Sequence, residues 1–245
     1  MEVLSPQIAG IIDSIPRIQQ QDTILRPPFV ISNDANVVAQ MPRLAENAKQ
    51  WKDGYALLIG SGGLLSLLPE LQKLSFILVV DRDKRVLDFH KDMVGLVQSC
   101  GSPTEVQAAL SSLYQDRVKR LSDKVHYEGY QYGDYHWTDP KRFQLVKDAL
   151  LSHAIHFIHQ DITAEELAKS LRDLEASGMP LRFANLTNVH VHLDNSGCLR
   201  RLPISPDTSV MFSEHDDVHG GTYPTAQLVK GIDAYFQRLA EMNTV

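Results

Sequence analysis

The residues best suited to chemistry lie in one stretch. Tyr55-Ala56-Leu57-Leu58-Ile59 is a continuous apolar run that stops at Gly60-Ser61-Gly62-Gly63, and Leu64-Leu65-Ser66-Leu67-Leu68 then resumes the apolar pattern. A second run, Phe76-Ile77-Leu78-Val79-Val80, ends at Asp81-Arg82-Asp83. Strand, glycine turn, helix, strand and acid together form a place for an anionic or nucleotide-like ligand. Glycine lets backbone approach the ligand, and the first helical N–H groups face a crevice at the carboxyl ends of parallel strands. An acid ending the second strand accepts from both ribose hydroxyls, and Asp81 stands about 20 positions beyond Gly60, the spacing that role needs. A plainer reading fits the same residues: the glycines make a tight turn and Asp81 caps the next helix.

Other chemistry-bearing groups cluster later in the chain. Asn185 and Asn188 close a predicted strand, and His190, His192 and His215 follow. An asparagine there can orient an acceptor, and a histidine can take a proton near neutral pH. The asparagines equally suit a turn that satisfies its own backbone. His190-Val191-His192 with Glu214-His215-Asp216-Asp217-Val218-His219 could gather two imidazoles and a carboxylate around a metal, but the spacing matches no metal signature and no metal is assigned. His156 and His159 fall on opposite faces of a strand, so they are not expected to share a metal. The tyrosine-rich stretch 126–137 reads as a substrate lid or as a loop packed by its own side chains. Cys100 and Cys198 read as ordinary thiols.

These groups need elements to position them. Residues 1–28 read as peripheral, and a helix is predicted over about 35–50, bent or divided by Pro42. After the strand at 76–80, Val86, Leu87, Met93, Val94 and Val97 are spaced like one helix face. Residues 99–152 interrupt the alternation as a helical insertion. Ser102-Pro103-Thr104-Glu105 opens a helix to about 124 with a capping box, and another helix covers about 140–152. A strand at 154–159 leads to Asp161. Thr163-Ala164-Glu165-Glu166 reads as a second capping box, for a helix ending near Gly178. Strands follow at 180–184 and 209–212, with a final helix over 225–242. Strands without polar interruptions are buried on both faces, the habit of a parallel sheet. The expected fold is therefore α/β, a doubly wound, mostly parallel sheet in one domain over 1–245, with an N-terminal helical extension at 1–50 and the insertion.

The glycine pattern narrows the ligand. A dinucleotide fingerprint wants a third glycine where Leu65 stands, and a phosphate loop wants a lysine that is absent. S-adenosylmethionine carries no phosphate and tolerates a shorter glycine set. Leu57-Leu58-Ile59-Gly60-Ser61-Gly62-Gly63, Leu78-Val79-Val80-Asp81-Arg82-Asp83, Phe157-Ile158-His159-Gln160-Asp161-Ile162 and Phe183-Ala184-Asn185-Leu186 occur in that order. In these pieces, over about 55–215, the chain resembles the class I S-adenosylmethionine-dependent methyltransferases. The resemblance implies S-adenosylmethionine as cofactor, held by Gly60, Ser61, Gly62, Gly63, Asp81, Arg82, Asp161 and Ile162. Of these, Asp81 would hold the ribose and Asp161 the adenine amino group. Asn185, Asn188 and His190 are the candidates for handling the acceptor. The departures are Leu58, where the family has an acid, and Leu64, where it has a glycine. The fourth strand also lacks the Asn-Pro-Pro-Tyr ending, and the family's closing antiparallel hairpin is not visible in the pattern.

Composition bounds the rest. The chain has 245 residues, 43% hydrophobic and 22% charged, which fits a packed globular protein. A net charge of −6 disfavours nucleic acid as the acceptor, leaving a small molecule or a protein side chain. No apolar run has membrane length, the start does not read as a secretory signal, and two cysteines fit a reducing compartment, so a cytoplasmic location is expected. The rival reading is a catalytically silent Rossmann-fold scaffold that binds a partner.

Overall fold

The structure is a computed structural model that describes residues 4–19, 37–60, 63–114, 139–187, 189, 193, 196–214 and 225–242. Among the described residues, six strands form one sheet: β1 (Tyr55–Ile59), β2 (Phe76–Asp81), β3 (Ala154–His159), β4 (Leu181–Asn185), β5 (Ser209–Glu214) and β6 (Thr225–Lys230). Their order is β3-β2-β1-β4-β5-β6. All neighbours are parallel except β5 and β6, which pair antiparallel. The order reverses between β1 and β4, so the chain winds outward in both directions from β1, as a doubly wound α/β sheet does.

Period-two alternation explains why the central strands are apolar throughout. Tyr55 and Leu57 face one core with Phe76, Leu78 and Val80, while Ala56 and Leu58 face the other with Ile77 and Val79. The first of these cores lies under α1 (Pro6–Ser14) and α7 (Glu165–Ala176), with α8 (Gly231–Met242) and the 3-10 turn Ser196–Arg201. The second lies under α2 (Val37–Ala48), α3 (Leu64–Leu67), α4 (Lys84–Ser99), α5 (Pro103–Tyr114) and α6 (Pro140–Ser152). Both faces are therefore covered.

Three expectations are corrected. The N-terminal stretch is not peripheral: Ser5 caps α1, and Ile8, Ile12 and Ile15, spaced as one helix face, are buried in the core. Beyond α1, the Ile18 amide donates to the His159 carbonyl at 2.8 Å, so the chain ties onto the outer edge of β3. The region 225–242 is not one helix. Ala226 and Leu228 are buried in alternation, which is a strand period, and Gly231 turns β6 into α8 with its amide bonded to the Thr208 carbonyl. The antiparallel pair that seemed absent from the pattern is thus present as β5 and β6. Finally, α7 has Ala164 at its N-cap with no side-chain cap. Thr163 is instead drawn to Asp161, whose Oδ1 accepts from the Thr163 amide at 2.8 Å and hydroxyl at 2.7 Å.

Other local signals are realised. Ser102 Oγ accepts from the Glu105 amide, and Glu105 reaches back to the Gly101 amide, which starts α5. Gly178 closes α7: its amide bonds the Glu175 carbonyl and the Met179 amide the Leu174 carbonyl. The predicted extension of α5 to 124 and the tyrosine-rich stretch lie outside the described residues.

The turn before β1 is tight. The Gly54 carbonyl accepts from the Ser75 amide at 2.8 Å, and the Tyr55 amide donates to the Pro180 carbonyl at 3.0 Å. The β1–β4 register shifts at this point, between Tyr55 and Ala56. Gly54 has φ +115, and a Cβ there would overlap the Pro180 carbonyl oxygen and lie 2.7 Å from Arg182 Cγ. Among the described residues, no helix is long and apolar enough to cross a membrane.

Candidate functional site

The carboxyl ends of β1, β2 and β4 meet where the strand order reverses, the place where open α/β sheets bind ligands. Gly60 leaves β1 with φ +69, and its amide continues the ladder to the Val80 carbonyl at 2.9 Å. A Cβ on Gly60 would stand 3.2 Å from Asp81 Oδ2, so glycine is what lets the Asp81 carboxylate lie against the end of β1. Gly63, with φ +70, is the N-cap of α3. That helix has only four residues, all buried, and passes at once into the 3-10 turn Leu68–Leu71. Ser61 and Gly62 lie outside the described residues.

The structure separates two roles that the sequence could assign to Asp81. Asp83 is the cap of α4: its carboxylate accepts from the Arg85 amide at 2.9 Å and pairs with the Arg85 guanidinium at 2.7 Å. Asp81 instead accepts the Asp83 amide on Oδ1 at 2.6 Å, with Oδ2 over Gly60. Burial pushes the Asp81 carboxyl up to about 6. The Asp83 amide opposes that shift, the Asp83 carboxylate adds to it, and Arg82 and His159 oppose it.

The other sequence-derived candidates are placed as follows. Arg82 points outward, with Nη1 4.0 Å from Asp161 Oδ2, and its carbonyl faces His159 Nε2 at 3.1 Å. Asp161 follows β3 in the same rim, with Oδ1 committed to Thr163. Ile162 is half-buried against the core beneath α7. Asn185 ends β4 with 1% exposure, and its Oδ1 accepts from the Thr187 amide at 3.1 Å. Asn188, His190, His192, His215 and His219 lie outside the described residues. His156 packs edge-on against Phe76 while His159 faces Arg82, so the two imidazoles have separate environments. Among the described residues, no three His, Cys, Asp or Glu side chains are grouped to hold a metal.

Two residues that sequence reasoning passed over organise this rim. Gln160 donates its amide to the Asp81 carbonyl at 3.1 Å and its side chain to the Pro16 carbonyl at 3.0 Å, while Oε1 accepts from the Asp161 amide. It joins β2, β3 and the segment after α1. Arg142, from the insertion, reaches α3 and its following turn. A polar residue directly after a strand was the only available signal for Gln160. Nothing in the sequence marked Arg142.

No family model and no curated protein matches the chain. A solved structure, the rRNA methyltransferase aviRa from Streptomyces viridochromogenes, is similar at 14% identity and a TM-score of 0.41, over 94% of this chain and 93% of that one. A likeness of that size carries no activity to this chain. The fold stands on the strand order described above.

Proposed function

We propose that this chain binds S-adenosylmethionine in the crevice beside Gly60 and Asp81, and transfers its methyl group to a small molecule or a protein side chain. The observation that carries the reading is the Asp81 carboxylate, laid against a left-handed Gly60 at the strand-order reversal, with the helix-capping duty taken by Asp83. The antiparallel β6 adds support. Two βαβαβ halves, as in a dinucleotide-binding sheet, would make the sixth strand parallel.

The residues present fit such a cofactor. Asp81 would accept from the ribose hydroxyls, and Gly60, left-handed at the end of β1, brings no side chain between that carboxylate and the strand end. Bound there, the cofactor supplies a methyl group already activated on a sulfonium. The protein's remaining work is alignment of the acceptor. Asn185 would set the turn after β4, and Asn188 and His190 would orient the acceptor and take its proton.

Calorimetric titration with S-adenosylmethionine and S-adenosylhomocysteine tests the reading. Micromolar binding is expected, weakened about 100-fold by Asp81→Ala, the scale of a lost hydrogen-bonded charge. Because an ionised Asp81 is required, wild-type affinity should also fall about tenfold between pH 7 and pH 5, across the point near 6 where this carboxyl takes its proton. The scaffold reading draws on the single-turn α3 and on Asp161, whose Oδ1 is held by Thr163. Absence of heat and of any thermal shift with both ligands and with NAD would select it.

A further inference from the structure

Arg142 makes three contacts with residues 72 to 101 positions before it in the chain. Its Nη2 donates to the Ser66 carbonyl at 2.8 Å and to Glu70 Oε2 at 2.7 Å, and it lies 3.4 Å from Met41 Sδ. The side chains of Arg142 and Glu70 are 14% and 11% exposed, so the pair is largely removed from water. Burial raises the Glu70 carboxyl, and Arg142 opposes that rise.

The Ser66 carbonyl sits in α3, which ends after one turn and passes into a 3-10 turn, where the i→i+3 donor position for this carbonyl is Pro69, which has no N–H. Arg142 supplies a charged donor to a helix that its own sequence cuts short. The guanidinium is itself placed by the start of α6, where Asp139 Oδ1 accepts from the Lys141 and Arg142 amides at 2.9 and 3.1 Å. The chain from Asp139 to Arg142 is thus a fixed strut from the insertion to α3.

We infer that Arg142 is a positioning residue for the crevice, holding α3, and Gly63 at its cap, in place against the end of β1. The ligand part of this inference rests on the proposed S-adenosylmethionine reading. Its structural part does not.

The test uses the full chain and a paired replacement, Arg142→Met with Glu70→Leu. Apolar groups of similar volume in place of a buried ion pair generally leave stability unchanged, and neither charge is orphaned. Amide exchange without ligand is the first readout. The α3 hydrogen bonds, Leu67 amide to Gly63 carbonyl and Leu68 amide to Leu64 carbonyl, are expected to open at least tenfold more often, with the β1 and β2 amides unchanged. The second readout is S-adenosylmethionine titration, with affinity at least tenfold weaker. Unchanged exchange at Leu67 and Leu68 overturns the inference, as does equal acceleration throughout the sheet, which marks a general packing role. A wild type that binds no S-adenosylmethionine removes the proposed function, and the exchange measurement still decides the role of Arg142. A wild type that binds, with a variant binding equally well, overturns the role in the crevice.

Discussion

Replacement of Gly54 by alanine is expected to destabilise the protein by about 4 kcal/mol, a large part of the stability of an ordinary domain. Two costs combine. At φ +115 an alanine lies outside the regions open to a side chain, and its Cβ would overlap the Pro180 carbonyl oxygen, with Arg182 Cγ only 2.7 Å away. Neither neighbour can withdraw easily. The Pro180 carbonyl is bonded to the Tyr55 amide, and Arg182 donates to the Asp53 carbonyl at 3.1 Å. A shift to relieve the overlap would disturb the β1–β4 pairing at the centre of the sheet. Gly10 is the control, since a Cβ there meets nothing within 4 Å. In the exposed face of α1, Gly10→Ala should stabilise by about 0.5–1 kcal/mol. Urea unfolding followed by circular dichroism measures both, and equal effects for the two alanines would refute the account of Gly54.

The second large effect is a pH dependence centred on His90. This side chain is 2% exposed in α4, neither ring nitrogen has a hydrogen-bond partner among the described residues, and Phe89 packs edge-on beside it. Burial pushes its ring down to about 4, against an ordinary value near 6.5. Below about pH 6.5 the unfolded chain takes up a proton that the folded chain refuses until about pH 4. The contribution of His90 to stability is therefore present above that window and lost as pH falls through it, to the extent of about 3 kcal/mol. Asp81 works in the opposite sense. Its folded value near 6 lies above the usual carboxylate value, so its contribution is present at low pH and is lost as pH rises towards 6. That term is smaller, because a half-buried carboxylate is partly screened by solvent. Wild-type stability should therefore fall less steeply between pH 7.5 and 4.5 than His90 alone dictates. The stability of His90→Leu relative to wild type should rise by about 3 kcal/mol on that acidification, and Asp81→Asn should make acid more damaging. Parallel curves for wild type and His90→Leu would disprove the assignment.

The centre of the sheet was largely legible because β1 and β2 bury both faces. A run such as Ile77, Leu78, Val79 and Val80 has one plausible fate, whereas β3, β4 and β5 were found from shorter, mixed stretches, β3 being only partly buried. β6 was not found, because Thr225, Gln227 and Lys230 interrupt it at the sheet edge. Gly231, where strand becomes helix, was the sign that separated the two. α1 was hidden by the polar residues around Gln19 and by its position before two prolines, although its isoleucines carried the period. In the crevice, Asp81 was legible from its distance to Gly60. Its separation from the capping role was not, because Asp81 and Asp83 are equally good caps on paper and backbone direction alone decides between them. Gln160 and Arg142 act through backbone carbonyls distant in sequence, and such carbonyls leave no trace in residue type.

The pairing of β1 with β4 also sets an order of events when the chain is made. β1 meets β2 early, since Tyr55 lies against Phe76, and β3 can join as soon as Ala154 is available. The other side of β1 waits for Leu181. Until then Ala56, Leu57 and Leu58 form an unpaired apolar edge, the kind of surface on which nascent chains associate wrongly. β4 and β5, and then the returning β6, must all be delivered from the last third of the chain. Refolding of the whole protein should accordingly be slow for its size, limited by that central long-range closure rather than by any helix.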